Sequence, residues 1–238
     1  MTCAVLLFAW KDTFVRMTAG YYSPILIIWV QLVFMSLIWL PVLIFKHGWK
    51  DLIPRPFHWQ MLRGLSLVTG MGLFYWSVML IPLADATAVS FASPLVVAAL
   101  SPFFLGEKIG YHRWGAICLG FTGVIILLRP VFIGDSLGYL AAFSSGFCVG
   151  IYYITNRKLV QINAPFAVVV YPAYVGSIIL IPLIPFNWTT PRYEDTWIIA
   201  GFLIITCIAQ TLVISAFRFG QASVVAPFHY FQIVGATI

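Results

Sequence analysis

Apolar residues run along this chain in blocks, without the alternation of a half-buried strand or the one-sided stripe of a surface helix. Nine blocks stand out, at 3–17, 24–45, 64–83, 86–105, 114–128, 137–154, 165–185, 197–217 and 222–238. A helix needs about 20 mostly apolar residues to cross the hydrocarbon core of a bilayer. Most of these blocks approach that length and are apolar on every face, so each is expected to be a membrane-spanning helix. Barrel strands are excluded, because they are about 10 residues long and alternate in polarity. The connections are short. Asp85 almost alone separates the third block from the fourth, and Gly220-Gln221 separates the eighth from the ninth. Consecutive helices are therefore expected to be antiparallel neighbours. The longest loops are expected at 47–63 and 187–195.

Composition narrows the class. Hydrophobic residues make up 62% of the 238 positions and charged residues 8%, against roughly 25% charged in soluble domains. So much apolar surface cannot be hidden by a soluble chain of this length. The expectation is one all-α, polytopic membrane domain in the lipid bilayer. The net charge of +6 does not point to nucleic acid, because the basic residues sit in short connections, where they encode orientation. With the N-terminus inside, Lys46, Lys50, Arg55, Arg63, Lys108, Arg113, Arg157, Lys158 and Arg218 fall on the cytoplasmic side. Only Arg16, Arg129 and Arg192 fall outside. Cys3, Cys118, Cys148 and Cys207 are scattered through apolar blocks without a CxxC pair, so small-residue packing is expected and neither a metal nor a redox cofactor is. The first block runs straight into Lys11 and Asp12 with no signal-peptide cleavage pattern. It has only about ten residues before Lys11, and the last block stops at Ile238 without a polar flank. A truncated C-terminus is therefore expected, with the N-terminus left open.

Two segments resemble each other at an offset of 136 residues: Ala86-Thr87-Ala88-Val89 and Ala222-Ser223-Val224-Val225. Each follows a minimal turn and contains a proline, Pro94 or Pro227. If the fourth helix corresponds to the ninth, the unit is five helices. Five is odd, so the second copy enters the membrane inverted, a recurring transporter design with a binding site between the copies. The same count predicts a tenth helix after Ile238.

The residues of these segments resemble a known pattern. Pro82-Leu-Ala-Asp85-Ala-Thr-Ala-Val-Ser-Phe-Ala-Ser-Pro94, then Leu105-Gly-Glu-Lys108, then Trp114-Gly115 with Gly120 and Gly123-Val-Ile are similar to the EamA repeat of the drug/metabolite transporter superfamily. Val225-Ala-Pro-Phe-His-Tyr230-Phe-Gln232 resembles its ninth helix. The resemblance implies a ten-helix carrier of two inverted five-helix repeats, working by alternating access. Residues 1–130 would be the first repeat (helices 1–5), and residues 131–238 the second (helices 6–9), with the tenth missing. The Ala-Pro-Phe-x-Tyr-x-Gln form is similar to the branch with bacterial S-adenosylmethionine and riboflavin carriers of the inner membrane.

Ionisable residues at membrane depth are costly and mark function. Lys11 and Asp12 are the clear cases. As neighbours they point about 100° apart on a helix, so a poor pair with each other is expected. Asp12 reads either as a proton-coupling carboxylate or as a charge near the end of a short first helix. His229 and Gln232 share a face at i, i+3, with Tyr230 beside them, and either line a cavity or bond a neighbouring helix. Among the aromatics, Tyr75, Trp76, Tyr152, Tyr153, Tyr171, Tyr174 and Tyr230 lie within or near spans, and two or three of them are expected to line a cavity and stack a flat heterocycle or a cationic sulfonium. The alternative is interfacial anchoring. Tyr171 and Tyr174 form an i, i+3 pair around Pro172. Ser90 and Ser93 share a face beside Pro94, where a broken helix could bind substrate, or where serine merely stabilises a kink. Gln31, Ser36 and Asn156 add further hydrogen-bonding groups. Gly115, Gly120, Gly123 and the Gly146-x-x-x-Gly150 pair are expected to let helices approach closely.

A transporter of a small organic metabolite is the leading reading, with protons as the candidate coupling ion and a homodimer left open. A lipid flippase of the same fold is its near neighbour. A membrane-embedded enzyme would need a convergent catalytic set, and the sequence offers at most one deep carboxylate and no HExxH or GxSxG motif. A receptor or assembly subunit would have no reason for two inverted units.

Overall fold

The computed structural model describes residues 2–18, 21–48, 55–90, 92–105, 111, 114–115, 118–119, 122–123, 136–160, 163 and 165–219. The ninth apolar block, with His229, Tyr230 and Gln232, lies outside the described residues, as does much of the fifth. Among the described residues every regular element is helical. In chain order these are α1 (Thr2–Thr18), α2 (Pro24–His47), α3 (Phe57–Leu80), α4 (Leu83–Ser90), α5 (Ser93–Leu105), α6 (Ser136–Val160), α7 (Pro165–Leu180), the single turn α8 (Ile184–Asn187) and α9 (Thr196–Phe219).

Local chemistry explains the helix ends. Ser23 caps α2 by accepting the Ile25 N–H at 3.3 Å, and Pro24 fills the first helical position, where no N–H is needed. The same helix stops at Gly48, whose φ of 86° suits a residue without Cβ and whose N–H returns to the Ile44 carbonyl at 2.8 Å. The start of α3 departs from expectation. The segment 57–63 was expected in a loop but is helical from Phe57, just after Pro56. Its histidine, glutamine and arginine dilute the hydropathy without breaking the helix. Arg63, expected in a cytoplasmic loop, is therefore the seventh residue of α3 and has no exposed surface.

The fourth block is split in two, with α4 ending at Ser90 and α5 starting at Ser93. Pro94 enters as the second residue of α5, where its missing N–H costs little. Asp85 lies in the first turn of α4, where a carboxylate meets the positive end of the helix dipole.

In the bundle, α3 runs along α6 and also crosses α7, α2 packs on α7, α1 on α9, and α4 and α5 on α6. Small residues set these approaches. A Cβ on Gly146 would sit 2.9 Å from the Ser90 carbonyl oxygen, and one on Gly150 would sit 2.6 Å from a Val96 methyl. Gly64 and Gly176 play the same part where α3 meets α7. Gly115 and Gly123 do not: they lie on an exposed face, and a Cβ at either would meet nothing within 4 Å among the described residues. Cys118 is likewise exposed instead of packed.

One apolar core joins Ile28, Leu32, Met35, Val68, Tyr75 and Phe202. A second holds Val78, Ile81, Ala86, Val89 and Ala142. Outside them the helices present Phe45, Phe103 and Leu37 at 89%, 77% and 69% exposure, a surface made for lipid. Among the described residues four stretches, Pro24–Lys46, Leu83–Phe104, Ser136–Leu159 and Val170–Asn187, are long and apolar enough to cross a membrane.

Candidate functional site

The helices bring together four polar side chains that the sequence scatters. Lys11, halfway along α1, lies buried with Asp12. Its ammonium sits 2.9 Å from the Asp12 carboxylate and donates to the Tyr75 hydroxyl of α3, also at 2.9 Å. Tyr75 in turn donates to the Gln31 amide oxygen of α2 at 3.1 Å. The ammonium also stands 5.2 Å and 5.6 Å from the ring centroids of Tyr75 and Phe8, within cation–π range. The poor pairing expected of adjacent residues is thus corrected. The four-carbon stem of lysine is long enough to swing its charge back over the neighbouring carboxylate. Lys11 thus compensates the charge of the Asp12 carboxylate inside a lipid-surrounded bundle.

A second polar group lies about 18 Å away along α3, twelve residues earlier. Arg63 donates from Nη1 to Asn156 Oδ1 at 3.2 Å, while its Nε and Nη2 have no hydrogen-bond partner among the described residues. Tyr152 of α6 and Tyr171 of α7 are its electrostatic neighbours. One turn earlier, Gln60 is 1% exposed; its amide nitrogen donates to the Arg55 carbonyl at 3.3 Å and its amide oxygen is unmet. Reading residues 57–63 as a loop hid both residues. The signal that could have found them is Pro54-x-Pro56, a helix-start punctuation placed before Phe57.

The end of the bundle opposite Arg63 is tied by loop contacts. Tyr22, between α1 and α2, donates to Asp195 at 2.7 Å and accepts the Arg192 N–H at 3.0 Å. Ser23 donates to Asn187 at 2.8 Å, and the Arg192 guanidinium lies 3.6 Å from the centroid of the Tyr21 ring. Burial and the Asp195 carboxylate push the Tyr22 hydroxyl above its ordinary value of 10.0, against the opposing pull of the Arg192 N–H. At the same end Tyr139 of α6 donates to Asp85 at 2.8 Å. Beneath these ties an apolar cavity of about 90 Å³ opens between α1, α2 and α9, lined by residues that include Phe14, Leu26, Trp188 and Phe202.

The remaining candidates divide. Tyr75 is at the centre of the Lys11 group, whereas Trp76, the next residue on the helix, is 45% exposed on the outer face. Tyr152 and Tyr171 converge at Arg63, and Tyr174 is half-buried on the same helix as Tyr171. Ser90 donates to the Ala86 carbonyl at 2.8 Å and to the Ala142 carbonyl of α6 at 3.3 Å, so it staples the break between α4 and α5. Ser93 is buried beside it.

The model of the EamA-like transporter family matches residues 1–129 and again residues 136–238. The chain belongs to that family. This places it in the drug/metabolite transporter superfamily, as an integral membrane transporter. The S-adenosylmethionine uptake transporter of Rickettsia felis is 28% identical over 206 residues, 86% of this chain and 69% of that protein. The riboflavin transporter of Vibrio cholerae is 28% identical over 193 residues, 77% of this chain and 62% of that protein. A crystallised protein of 16% identity superposes with a TM-score of 0.58 over 99% of this chain and 93% of its own, a likeness of fold. In this EamA-like transporter the Lys11 group is thus an ion pair embedded among membrane helices, and Arg63 is a second, differently partnered charge in the same bundle.

Proposed function

We propose that this EamA-like transporter moves a small organic metabolite across the bacterial inner membrane by alternating access, with S-adenosylmethionine or riboflavin as the candidate cargo. The observation that carries the reading is the buried Lys11–Asp12 pair, bonded through Tyr75 to Gln31 and so joining three helices. A packed bundle has no structural need for charge at that depth, and exchange of a proton or cation at Asp12 would change the hold between α1, α2 and α3. Asp12 is the coupling carboxylate in this reading and Lys11 its tethered counter-charge. Tyr152, Tyr171 and Tyr174, with Ser90 and Ser93 at the break of the fourth span, belong to the substrate path. His229, Tyr230 and Gln232 join it from the ninth helix. Trp76, facing lipid, does not.

Two inverted repeats, 1–130 and 131–238, fit the double match of the family and the way helices pair. If each span corresponds to the one five later, the contact of α1 with α9 is the counterpart of that between α3 and α6, and α2 with α7 is its own counterpart. The N-terminus is cytoplasmic by the basic residues of the loops, which puts the Tyr22–Asp195 tie on the outer side. The bundle is then latched outside. The test is uptake of labelled S-adenosylmethionine and of riboflavin into vesicles, with Asp12→Asn and a proton uncoupler as controls. Saturable uptake lost in Asp12→Asn is the expected result.

A second reading, a lipid flippase of the same fold, is favoured by the apolar cavity between α1, α2 and α9, which would suit an acyl chain. Scrambling of a fluorescent phospholipid in proteoliposomes, with no metabolite uptake, would select it.

A further inference from the structure

A guanidinium carries five N–H donors and cannot lose its charge inside a protein. Left partly unpaired in a bundle surrounded by lipid, it is among the most costly groups a chain can bury. Arg63 is in that position. It has no exposed surface, Asn156 takes only Nη1, and Nε and Nη2 are unmet. These two atoms lie along one edge of the guanidinium and present parallel donors, the fork that fits both oxygens of a carboxylate. Of the described acids, Asp12 is engaged with Lys11, Asp85 with Tyr139 and Asp195 with Tyr22, and Glu194 is exposed at the opposite end of the bundle. Gln60 lies three residues earlier and so on the same face of α3. Its amide nitrogen is held by Arg55, which leaves the amide oxygen as a buried acceptor in want of a donor. One helix face thus carries an unmet carboxylate fork and an unmet acceptor one turn apart.

We propose that Gln60 and Arg63 receive the head group of an α-amino acid, the carboxylate on the Arg63 fork and the ammonium on the Gln60 oxygen. Asn156 fixes the plane of the guanidinium, and Tyr152 and Tyr171 wall the site. This deepens the metabolite-carrier reading and rests on it. It also divides the two cargoes: S-adenosylmethionine has such a head group, and riboflavin has neither a carboxylate nor an ammonium.

The test uses the purified full-length protein in detergent and reads melting temperature. The probes are S-adenosylmethionine, its decarboxylated analogue, riboflavin, inorganic phosphate, and the common amino acids each paired with its amide. At least one α-amino acid ligand is expected to raise the melting temperature, its decarboxylated or amidated partner to act at least tenfold more weakly, and Arg63→Gln to abolish the difference. Gln60→Leu is expected to weaken the amino acid ligand while keeping its preference over the decarboxylated or amidated partner, because the Arg63 fork is intact. Ligand-free Arg63→Gln is expected to melt roughly 2–4 °C higher, because an uncompensated buried charge has been removed. Three results overturn the proposal. One is equal stabilisation by acid and amide in the wild type. Another is stabilisation by phosphate alone. The third is a fall in melting temperature of ligand-free Arg63→Gln, which would make Arg63 half of an internal ion pair. Vesicle uptake judges the carrier reading separately. Amino acid binding without flux would sink transport and keep the site, and flux of riboflavin alone would keep transport and sink the site.

Discussion

The Lys11 and Arg63 groups lie on the same helix bundle, and both bury a cation, but they balance it in opposite ways. Lys11 has its counter-charge at the next residue, and two further side chains complete the network. Arg63 has one amide oxygen and two unmet donors. A cation that is balanced from within holds helices together. A cation that is balanced only in part keeps donors that a ligand could meet. The contrast is why coupling is proposed for the first group and binding for the second.

The sharpest way to break the comparison is to remove one member of the balanced pair. Lys11→Met leaves the Asp12 carboxylate buried without its ammonium and is expected to cost about 3–5 kcal/mol of stability. Loss of folded protein in detergent, followed by size-exclusion chromatography, checks it. The double variant Lys11→Met with Asp12→Leu removes both charges and is expected to recover most of that loss while abolishing transport. A folded double variant that still transports would take coupling away from this pair.

A smaller effect is expected at Tyr75. Tyr75→Phe deletes the acceptor for Lys11 and the donor to Gln31, at about 1–3 kcal/mol for buried polar groups left unmet. The melting temperature of the variant checks it, and the effect should shrink when Gln31→Leu is already present, because the two changes share a partner.

The smallest effect belongs to the tie between Tyr22 and Asp195. Tyr22→Phe is expected to cost about 0.5–1.5 kcal/mol. The Tyr22 hydroxyl titrates above its ordinary 10.0. A group whose folded value is raised contributes its stability fully below the unfolded value and loses it as pH rises through the folded value. The Tyr22 hydroxyl therefore weakens the tie in strong alkali, as would be read from cysteine labelling at the loop.

The helices were legible because lipid demands long apolar runs, and α1, α2 and α9 begin and end within a few residues of the blocks read from sequence, whereas α6 runs on to Val160 and the fourth block is split. The start of α3 departs most. Its first two turns carry His58, Gln60 and Arg63, and a hydropathy reading discards them as loop. They are helical because Pro56 starts the helix and neighbouring helices bury Gln60 and Arg63, which hydropathy counts as too polar, while His58 stays exposed. Lys11 and Asp12 stood out as charges inside an apolar run, but their mutual bond did not, because spacing along the backbone says nothing of how far a lysine stem can fold back. Tyr75 and Trp76 were equivalent in the sequence. One faces the core and the other lipid, a choice made by the rotation of α3 against α2 and α6.

The measurement closest to the central claim is uptake of labelled S-adenosylmethionine by vesicles holding the full-length protein, with Asp12→Asn assayed beside it. The account predicts saturable uptake that falls at least tenfold in Asp12→Asn while the variant remains folded and inserted. Absence of flux from folded, inserted wild type would contradict the cargo. Equal flux from Asp12→Asn would contradict the role of the buried ion pair.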